Sequence, residues 1–399
     1  MPDRTWMIST LETRLQWTFR LVGIGLLSGM LLSWKLWHTD RLYPLFPVWE
    51  WIPQLPQPLD LVFLILFLTL IGWLIIRPDR RVVIAVLVCM ILLALQDQSR
   101  WQPWFYQYAL MLVPIACWKN CKTKPEPVLG LLAWVIIMVY AWGGIHKCQP
   151  GWMSVWENSL TAPVIEDWRD GFLKSAVLGF GYVIPVIEIL MAIALCFRRS
   201  RLPAIVLVLC THVVILLLLG PAKGYISNSV VWPWNLVMMA MVLVLFFRKT
   251  DLHLFAWIRT TLAIPGWAIF ILVTLAPVFF YAGLWDRYLS FSLYAGQQKR
   301  YLVRIDASAA EKVPPGWSDW VVDMRAVDGH LVLAPATWSS EELNVPLVSE
   351  WRVLRSFSRK LCEGELAGTD LVFFVDYRHF PDKPREYFRC NEIVEMGRR

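Results

Sequence analysis

The stretch Val139-Tyr140-Ala141-Trp142-Gly143-Gly144-Ile145-His146-Lys147-Cys148-Gln149-Pro150-Gly151-Trp152 ends a long apolar run with a lysine. On a helix, side chains three and four residues apart share a face, so Tyr140 and Lys147 lie on the same face as the glycine pair. The two glycines predict a notch above which the lysine head group lies. Such a lysine is either an anchor at the membrane interface or a base whose proton affinity is lowered by partial desolvation, and both interpretations stay open at this point.

The composition around this stretch is that of an integral membrane protein. Hydrophobic residues make up 57% of the 399 residues and charged residues only 17%, whereas about a quarter of a soluble domain is charged. The 24 tryptophans fit rings that lie at two membrane interfaces. Basic residues in cytoplasmic loops explain the net charge of +7, so we expect a lipid bilayer and no nucleic acid as partner.

Nine apolar runs are candidates for membrane-spanning helices. The hydrocarbon core is roughly 30 Å thick and a helix rises about 1.5 Å per residue, so the shorter runs cross it only marginally. The runs cover residues 17–37, 59–76, 81–95, 103–118, 128–145, 178–197, 202–219, 230–247 and 263–281. The stretch 153–175 is too polar to cross and is expected to lie along the surface or fold over the bundle. Residues 1–285 are therefore predicted to form an all-α polytopic bundle of about nine helices.

The charges of the loops orient this bundle. Basic residues are enriched on one side, in the segments Arg4 and Arg14, 77–81, 119–124, 198–201 and 248–259. Cytoplasmic loops carry an excess of lysine and arginine. We therefore expect a bacterial inner (plasma) membrane protein with a cytoplasmic N-terminus and an extracytoplasmic C-terminus.

Residues 286–399 differ in composition from the bundle, because their apolar runs are short and alternate with charges. The segments 300–305 and 371–376 are typical of strands, and 349–362 of an amphipathic helix. We expect a small α/β extracytoplasmic domain. Its cysteines, Cys362 and Cys390, would face an oxidising space and are expected to form a disulfide, the alternative being two buried free thiols.

Several polar side chains lie in or beside the apolar runs, where each needs a stabilising partner. Glu188 lies in the middle of the sixth run, and a lone carboxylate in lipid either takes up a proton or finds a cation. His212 lies in the middle of the seventh run and could equally bond a backbone carbonyl. Asp97 and Arg100 are close enough to pair at a turn. No cysteine or histidine spacing suggests a metal site.

The predicted topology brings these polar residues towards one leaflet. The outer half of the bundle receives Asp97, Arg100, Lys147, Trp152, Asn228 and Trp234, with Glu188 and His212 deeper in the membrane. This convergence predicts a cavity that opens to the outer leaflet or the outer space. Such a cavity would admit a flat lipid-soluble molecule or a peptide segment better than a hydrated ion.

The segment 139–152 resembles the lysine-bearing segment of the vitamin K-dependent γ-carboxylase family. It also resembles the wider group of bacterial membrane proteins that share this transmembrane domain, often called HTTM and distantly similar to DoxX/MauE proteins. The shared pattern is an aromatic residue, two small residues, an apolar residue, a lysine and a later aromatic residue, here Tyr140, the glycine pair, Ile145, Lys147 and Trp152. The resemblance extends to residues 101–108, Glu188 and His212.

This resemblance implies a chemistry. In carboxylases the lysine is taken to be the base that deprotonates reduced vitamin K, so Lys147 would be the base, with Glu188 and His212 as further catalytic residues and a quinone as the possible cofactor. The residues expected to bind substrate, most of them from the predicted convergence on the outer leaflet, are Asp97, Arg100, Trp104, Trp152, Asn228 and Trp234. Trp104 stands where a carboxylase has a functional histidine, so the resemblance does not extend to full epoxidation and carboxylation.

Two classes of function follow as hypotheses. The first is quinone-linked or redox-linked modification of a peptide or lipid at the outer-leaflet cavity. The alternative is a non-enzymatic membrane partner for the maturation or export of a secreted protein, in which the C-terminal domain does the binding. Transport would require that Glu188 and His212 line a continuous path.

Overall fold

The computed structural model describes residues 10–118, 125–165, 167–220, 228–247, 252–296, 298–376 and 385–396. Of the basic residues predicted to orient the bundle, Arg4, 119–124 and 248–250 lie outside this description. The helices are α1 (Leu11–Leu32), α2 (Trp34–Trp37), α3 (Leu59–Ile76), α4 (Arg80–Gln96), α5 (Pro103–Cys117), α6 (Glu126–Lys147), α7 (Gly151–Val155), α8 (Ala162–Ile165), α9 (Phe172–Phe180), α10 (Ile184–Cys196), α11 (Arg201–Leu218), α12 (Val231–Phe246), α13 (Ala263–Phe270), α14 (Arg325–Asp328), α15 (Pro335–Leu343) and α16 (Trp351–Glu363).

Within the described ranges, five helical segments are long and apolar enough to cross a membrane: α1, α3, α6, α11 and Ala263–Ala282, which begins with α13. The pair α9 and α10 makes a sixth if its 49° bend lies within one span. The other three predicted spans are the helices α4, α5 and α12, with 17, 15 and 16 residues. A multi-pass membrane protein is thus supported with five or six spans, and the predicted nine are not confirmed.

Helix α6 lies at the centre of the bundle. Its apolar window is 83% buried, whereas those of α3, α11 and Ala263–Ala282 are each 28% buried. Helices α1, α5, α10, α12 and α13 pack against it. The outer helices expose large apolar side chains, such as Ile65 and Leu66 on α3, as expected for surfaces that contact lipid.

Two of the predicted spans are interrupted. Helix α1 ends at Leu32, where Ser33 donates its hydroxyl to the Gly29 carbonyl, so the run 17–37 is not one helix. The run 178–197 is broken between α9 and α10, where Pro185 lies in the first turn of α10. Proline has no N–H to continue a preceding helix, which accounts for the break.

The C-terminal region contains an antiparallel sheet, as expected in part from the sequence. Its strands are β1 (Arg300–Asp306), β2 (Val321–Asp323), β3 (His330–Leu333), β4 (Leu371–Asp376) and β5 (Glu386–Arg389), in the order β2-β3-β1-β4-β5. Trp338 of α15 and Phe357 of α16 are completely buried beside the sheet. Cys362 and Cys390 form the expected disulfide, with 5.9 Å between their Cα atoms.

The C-terminal region packs on the end of the bundle where α1 ends. Glu342 accepts hydrogen bonds from the backbone N–H groups of Leu42 and Tyr43, both at 2.8 Å. Asn344 donates its side-chain amide to the Leu32 carbonyl at 2.9 Å. Tyr43 also packs edge-to-face on Trp338, so one hydrophobic core continues from the bundle into the sheet region.

Candidate functional site

The site is centred on an ion pair between Lys147, the last residue of α6, and Glu188 of α10. The Lys147 Nζ lies 2.9 Å from Oε1 and 2.7 Å from Oε2 of Glu188, and it donates to the Gly143 carbonyl at 3.2 Å. The indole face of Trp152 lies 5.5 Å from the same nitrogen. Lys147 is 9% exposed and Glu188 7% exposed. The ammonium therefore lies inside the protein, between a carboxylate, a carbonyl and an aromatic face.

The glycine pair of α6 makes this contact possible. A Cβ atom at Gly144 would lie 2.7 Å from the Pro185 carbonyl oxygen, so a side chain there would push α10 away from α6. A Cβ at Gly143 would lie 3.2 Å from the Glu188 Oε2. The notch predicted from the sequence is present, and the first turns of α10 fill it together with the carboxylate.

An apolar cavity of about 210 Å³ adjoins the ion pair. Lys147, Glu188, His212, Trp152 and Trp234, five of the residues predicted for the site, all line it. Its other walls are mostly aliphatic and aromatic. The cavity thus offers apolar walls and one charged pair, an arrangement typical of sites for small molecules with one polar group.

Three side chains on different helices form a hydrogen-bonded chain along the wall of the cavity. The Tyr140 hydroxyl lies 2.8 Å from Nε2 of His212, and Nδ1 of His212 lies 2.6 Å from Oδ1 of Asn235. Asn235 donates its amide to the Val231 carbonyl at 2.6 Å. Because Asn235 is fixed in this way, it sets which imidazole nitrogen carries the proton and leaves the other to face Tyr140.

The cavity also reaches the surface of the bundle that contacts lipid. Phe180 at the end of α9 and Val214 of α11 line the cavity and are 43% and 39% exposed. Cys210 of α11 also lines it and is exposed. The exposed part of the cavity wall therefore lies on α9 and α11.

The bend between α9 and α10 is held by tryptophans next to the cavity. Trp152 donates its indole N–H to the Gly181 carbonyl at 2.7 Å, and Trp156 donates to the carbonyls of Val177 and Leu178, both at 3.1 Å. The Gly181 carbonyl cannot receive a helical N–H from residue 185, which is a proline, so the Trp152 indole satisfies it inside an apolar environment. The Leu178 carbonyl also accepts from the Gly181 N–H at 3.1 Å. Trp152 therefore has two roles, since its ring also covers the ammonium.

Asp97 and Arg100 lie elsewhere, in a buried cluster at the end of α4. The Asp97 Oδ2 lies 2.5 Å from the Arg41 Nη2 and 4.0 Å from the Arg100 Nε. Arg100 donates to the carbonyls of Leu36 and Leu93, and burial lowers its pKa to about 10. The expected placement of Asp97 and Arg100 beside Lys147 is therefore not found, because backbone carbonyls and Arg41 take up their polar groups.

Trp104 and Asn228 line a second cavity, which lies between the bundle and the C-terminal region. Trp104 packs edge-to-face on Trp37 and Tyr108, and Asn228 donates to the Tyr294 hydroxyl at 3.4 Å. Trp234 lines both cavities. Four of the predicted substrate-binding residues thus line two adjacent cavities, whereas Asp97 and Arg100 line neither of them.

His146, the neighbour of Lys147, points away from the site. Its Nε2 lies 3.1 Å from the Ser290 carbonyl and its Nδ1 lies 3.1 Å from the Tyr281 hydroxyl. The ring also stacks near Trp142. Adjacent residues on a helix point about 100° apart, so His146 packs against the last span while Lys147 faces α10.

Sequence reasoning missed Tyr140 and Asn235 as parts of the site and Arg41 as the partner of Asp97. Tyr140 carried a signal, since it lies two helical turns before Lys147 on the same face. Arg41 and Asp97 are 56 residues apart, and no local pattern links them. No protein-family model, curated protein or solved structure matches the chain.

Proposed function

We propose that the cavity beside Lys147 and Glu188 binds a flat, lipid-soluble molecule with a polar head group, of which a quinone in its reduced, hydroxyl-bearing form fits best, and accepts a proton from that hydroxyl. The observation that carries this proposal is a buried ion pair on the wall of an apolar cavity that is open to the lipid side. Here both charged groups face space that a ligand could fill.

The ion pair can accept a proton without leaving an unpaired charge in the ground state. Lysine ammonium with glutamate carboxylate, and neutral amine with carboxylic acid, differ only in the position of one proton. Either form takes up a proton from a hydroxyl and becomes ammonium with carboxylic acid, while the hydroxyl becomes an oxyanion beside the new positive charge. Lys147 would be the base in the neutral form of the pair, and Glu188 would accept the proton in the ionised form. In both cases the Lys147 ammonium then stabilises the anion.

The size of the cavity favours a ring over a peptide segment. Pockets for drug-sized ligands usually span about 300–1,000 Å³, so 210 Å³ suits one ring with a short substituent. A longer isoprenoid tail would leave through the opening between α9–α10 and α11. Tyr140 and His212, which line the same cavity, would contact the ring or its substituents.

The resemblance to the vitamin K-dependent γ-carboxylase and HTTM proteins is part of this proposal. It is supported by the convergence of Lys147, Glu188 and His212 on one cavity, because these residues came from three separate apolar runs. The topology of nine spans, with a cytoplasmic N-terminus in a bacterial inner membrane, also belongs to the proposal. The Cys362–Cys390 disulfide supports an extracytoplasmic C-terminal domain, since disulfides persist mainly in oxidising compartments.

The experiment is extraction of the protein in mild detergent, followed by absorbance and mass spectrometry of the bound apolar molecules. We expect a quinone at a stoichiometric ratio in the wild type and its loss in Lys147→Ala. The matched control is Lys174→Ala, which removes a lysine paired with Asp170 near the surface at 2.9 Å. Equal quinone content in Lys147→Ala and Lys174→Ala would refute the proposal.

A second candidate function is that of a non-enzymatic partner for a secreted protein. It is favoured by the strand order, in which β2 and β5 each pair on one side only among the described strands. Both also carry an exposed apolar or aromatic side chain, Val322 and Tyr387. An exposed strand edge can pair with an extended segment of another chain. In the same extraction, a co-purifying protein without any apolar ligand would favour this function.

A further inference from the structure

The second cavity has a volume of about 320 Å³ and a different chemical character from the first. Three cationic residues, Arg287, Lys299 and Arg300, line it, and no aspartate or glutamate is found among the described residues of its wall. The remaining polar groups are neutral donors, including Asn228, Gln298 and Tyr294. Such a wall creates a positive potential within a partly enclosed space.

Arg287 is the central feature of this wall. Its side chain is 7% exposed, and its Nη1 is buried without a hydrogen-bond partner. Its Nε donates to the Ser292 carbonyl at 3.2 Å, which fixes the orientation of the guanidinium. Leaving a charged donor buried and unsatisfied is costly, so native proteins usually supply a partner, which can be a ligand.

The described groups around Arg287 do not neutralise its charge with an ion pair. Burial lowers the pKa of Arg287, and the nearby Tyr288 and Glu350 only partly oppose that effect. The Glu350 carboxylate accepts a bond from the backbone N–H of Arg287 at 2.9 Å, and the structure gives no ion pair between the two side chains. Burial raises the pKa of Tyr294 to about 12, so its hydroxyl is neutral and can donate.

We propose that the second cavity is an oxyanion site, in which the carboxylate or phosphate of an amphipathic molecule binds to Arg287. The planar guanidinium is always charged and holds its N–H donors in a fixed arrangement, so it orients a carboxylate or phosphate better than a lysine does. Tyr294 and Asn228 supply neutral donors, and Lys299 and Arg300 add positive charge on the side of the C-terminal region. Lys299 also donates to the Ser349 carbonyl, so it contributes mainly through its charge.

The loop that carries this wall is fixed by a close backbone contact. Gly296 has a φ of +80°, and a Cβ there would lie 2.2 Å from the Gly151 carbonyl oxygen. A side chain cannot be placed at this position without moving the loop. The wall is therefore held against the start of α7, close to the end of the helix that carries Lys147.

The two cavities share the wall residues Val231, Trp234, Leu293 and Tyr294. An anionic head group in the second cavity could thus belong to a molecule whose apolar part lies beside Lys147. Only this last connection rests on the proposed function. The oxyanion site itself rests on Arg287 and the charges around it.

The test measures the midpoint of thermal unfolding of the full chain in detergent with added lipid or salt. For the wild type, we expect phosphatidylglycerol to raise the midpoint by about 2 °C or more above the effect of phosphatidylcholine. Sodium phosphate is compared with sodium chloride at equal ionic strength. A rise with phosphate alone would indicate a soluble oxyanion as the ligand, and a rise with neither would overturn the proposal.

The variant Arg287→Gln is expected to lose the preferential shift. Its matched control is Arg325→Gln, which removes the same charge from an exposed arginine paired with Asp323, so a general effect of net charge would appear in both. An equal shift in the two variants would overturn the assignment. If Arg287→Gln does not fold, Arg287→Lys takes its place, and the shift of its unfolding midpoint is expected to be smaller than that of the wild type. A shift as large as that of the wild type would again overturn the assignment. Loss of the shift in Arg287→Gln with normal quinone content would separate this site from the one beside Lys147.

Discussion

Lys147 and Glu188 form a pair in which each side chain depends on the other. Removing one partner leaves a buried charge that must be neutralised or hydrated. Replacing both by apolar residues of similar volume removes the charges together, and such replacements are often neutral or stabilising. Stability measurements can therefore distinguish a pair from two independent residues.

We predict that Lys147→Met or Glu188→Leu alone destabilises the folded protein by about 3 kcal/mol. This value is near the lower end of the cost of removing one partner of a buried ion pair, because both groups border a cavity. The double variant Lys147→Met/Glu188→Leu is expected to recover most of this loss. Unfolding in detergent, followed by tryptophan fluorescence, measures the double-mutant cycle. Additive losses in the double variant would show that the two side chains do not act together.

At individual positions, the sequence showed which buried polar residues need a partner, but it did not always show which residue that partner is. A carboxylate in the middle of an apolar run was expected to take up a proton or to find a cation, and Glu188 pairs with Lys147. Asp97 was expected beside the same site, but it forms an ion pair with Arg41, which lies in the connection between α1 and α3. Arg287 carried no signal, since it lies in an irregular segment without periodicity.

Helices α6 and α10 approach closely because Gly144 has no side chain. We predict that Gly144→Ala destabilises the bundle by about 1–3 kcal/mol, since the backbone carbonyl of Pro185, at 2.7 Å from the added atom, cannot move without shifting α10. The matched control is Gly72→Ala on α3, where nothing lies within 4 Å of the added atom.

Gly72→Ala is expected to be neutral or to stabilise by up to about 1 kcal/mol, because alanine has the higher helix propensity. Thermal unfolding of the two variants side by side provides the measurement. A Gly144→Ala variant as stable as Gly72→Ala would mean that α10 is not held against α6 as described.

The long apolar helices could be predicted from the sequence because charges and prolines mark both of their ends. The predicted run 59–76 coincides with α3, and 128–145 lies within α6. The break between α9 and α10 was missed, although Gly181 and Pro185 mark it, because the hydrophobicity of the run 178–197 is continuous. Strands β2, β3 and β5 have three or four residues, too few for alternation to stand out.

The bundle and the C-terminal region are joined through Glu342. Its carboxylate accepts from the N–H groups of Leu42 and Tyr43 and from the indole of Trp338. We predict that Glu342→Gln loosens this contact, because charge-assisted bonds are each worth about 1.5–3 kcal/mol and the amide replaces an acceptor oxygen with a donor. Hydrogen exchange of residues 42–46 is expected to rise, whereas in Glu365→Gln, an exposed control, it stays at the wild-type level. Unchanged exchange in both variants would contradict the described docking.

The disulfide between Cys362 and Cys390 allows the proposed orientation of the chain in the membrane to be tested. We predict that Cys362 and Cys390 resist alkylation in intact cells until a membrane-impermeant reductant is added, because they are paired and the proposed orientation places them on the outer side. Mass spectrometry of the alkylated protein gives the measurement. Alkylation of both thiols without reduction would contradict the pairing, and protection that persists after the impermeant reductant would contradict the orientation.

The most direct test of the whole account is the affinity of a soluble quinone analogue for the wild type and for Lys147→Met/Glu188→Leu, measured by quenching of tryptophan fluorescence. The double variant keeps the net charge and the approximate volume of the site, so it removes the polar recognition without leaving a buried charge. We predict at least about tenfold weaker binding, which is the loss of one charge-assisted hydrogen bond. Equal affinity in the two proteins, both folded, would contradict the claim that this ion pair recognises a ligand within the membrane.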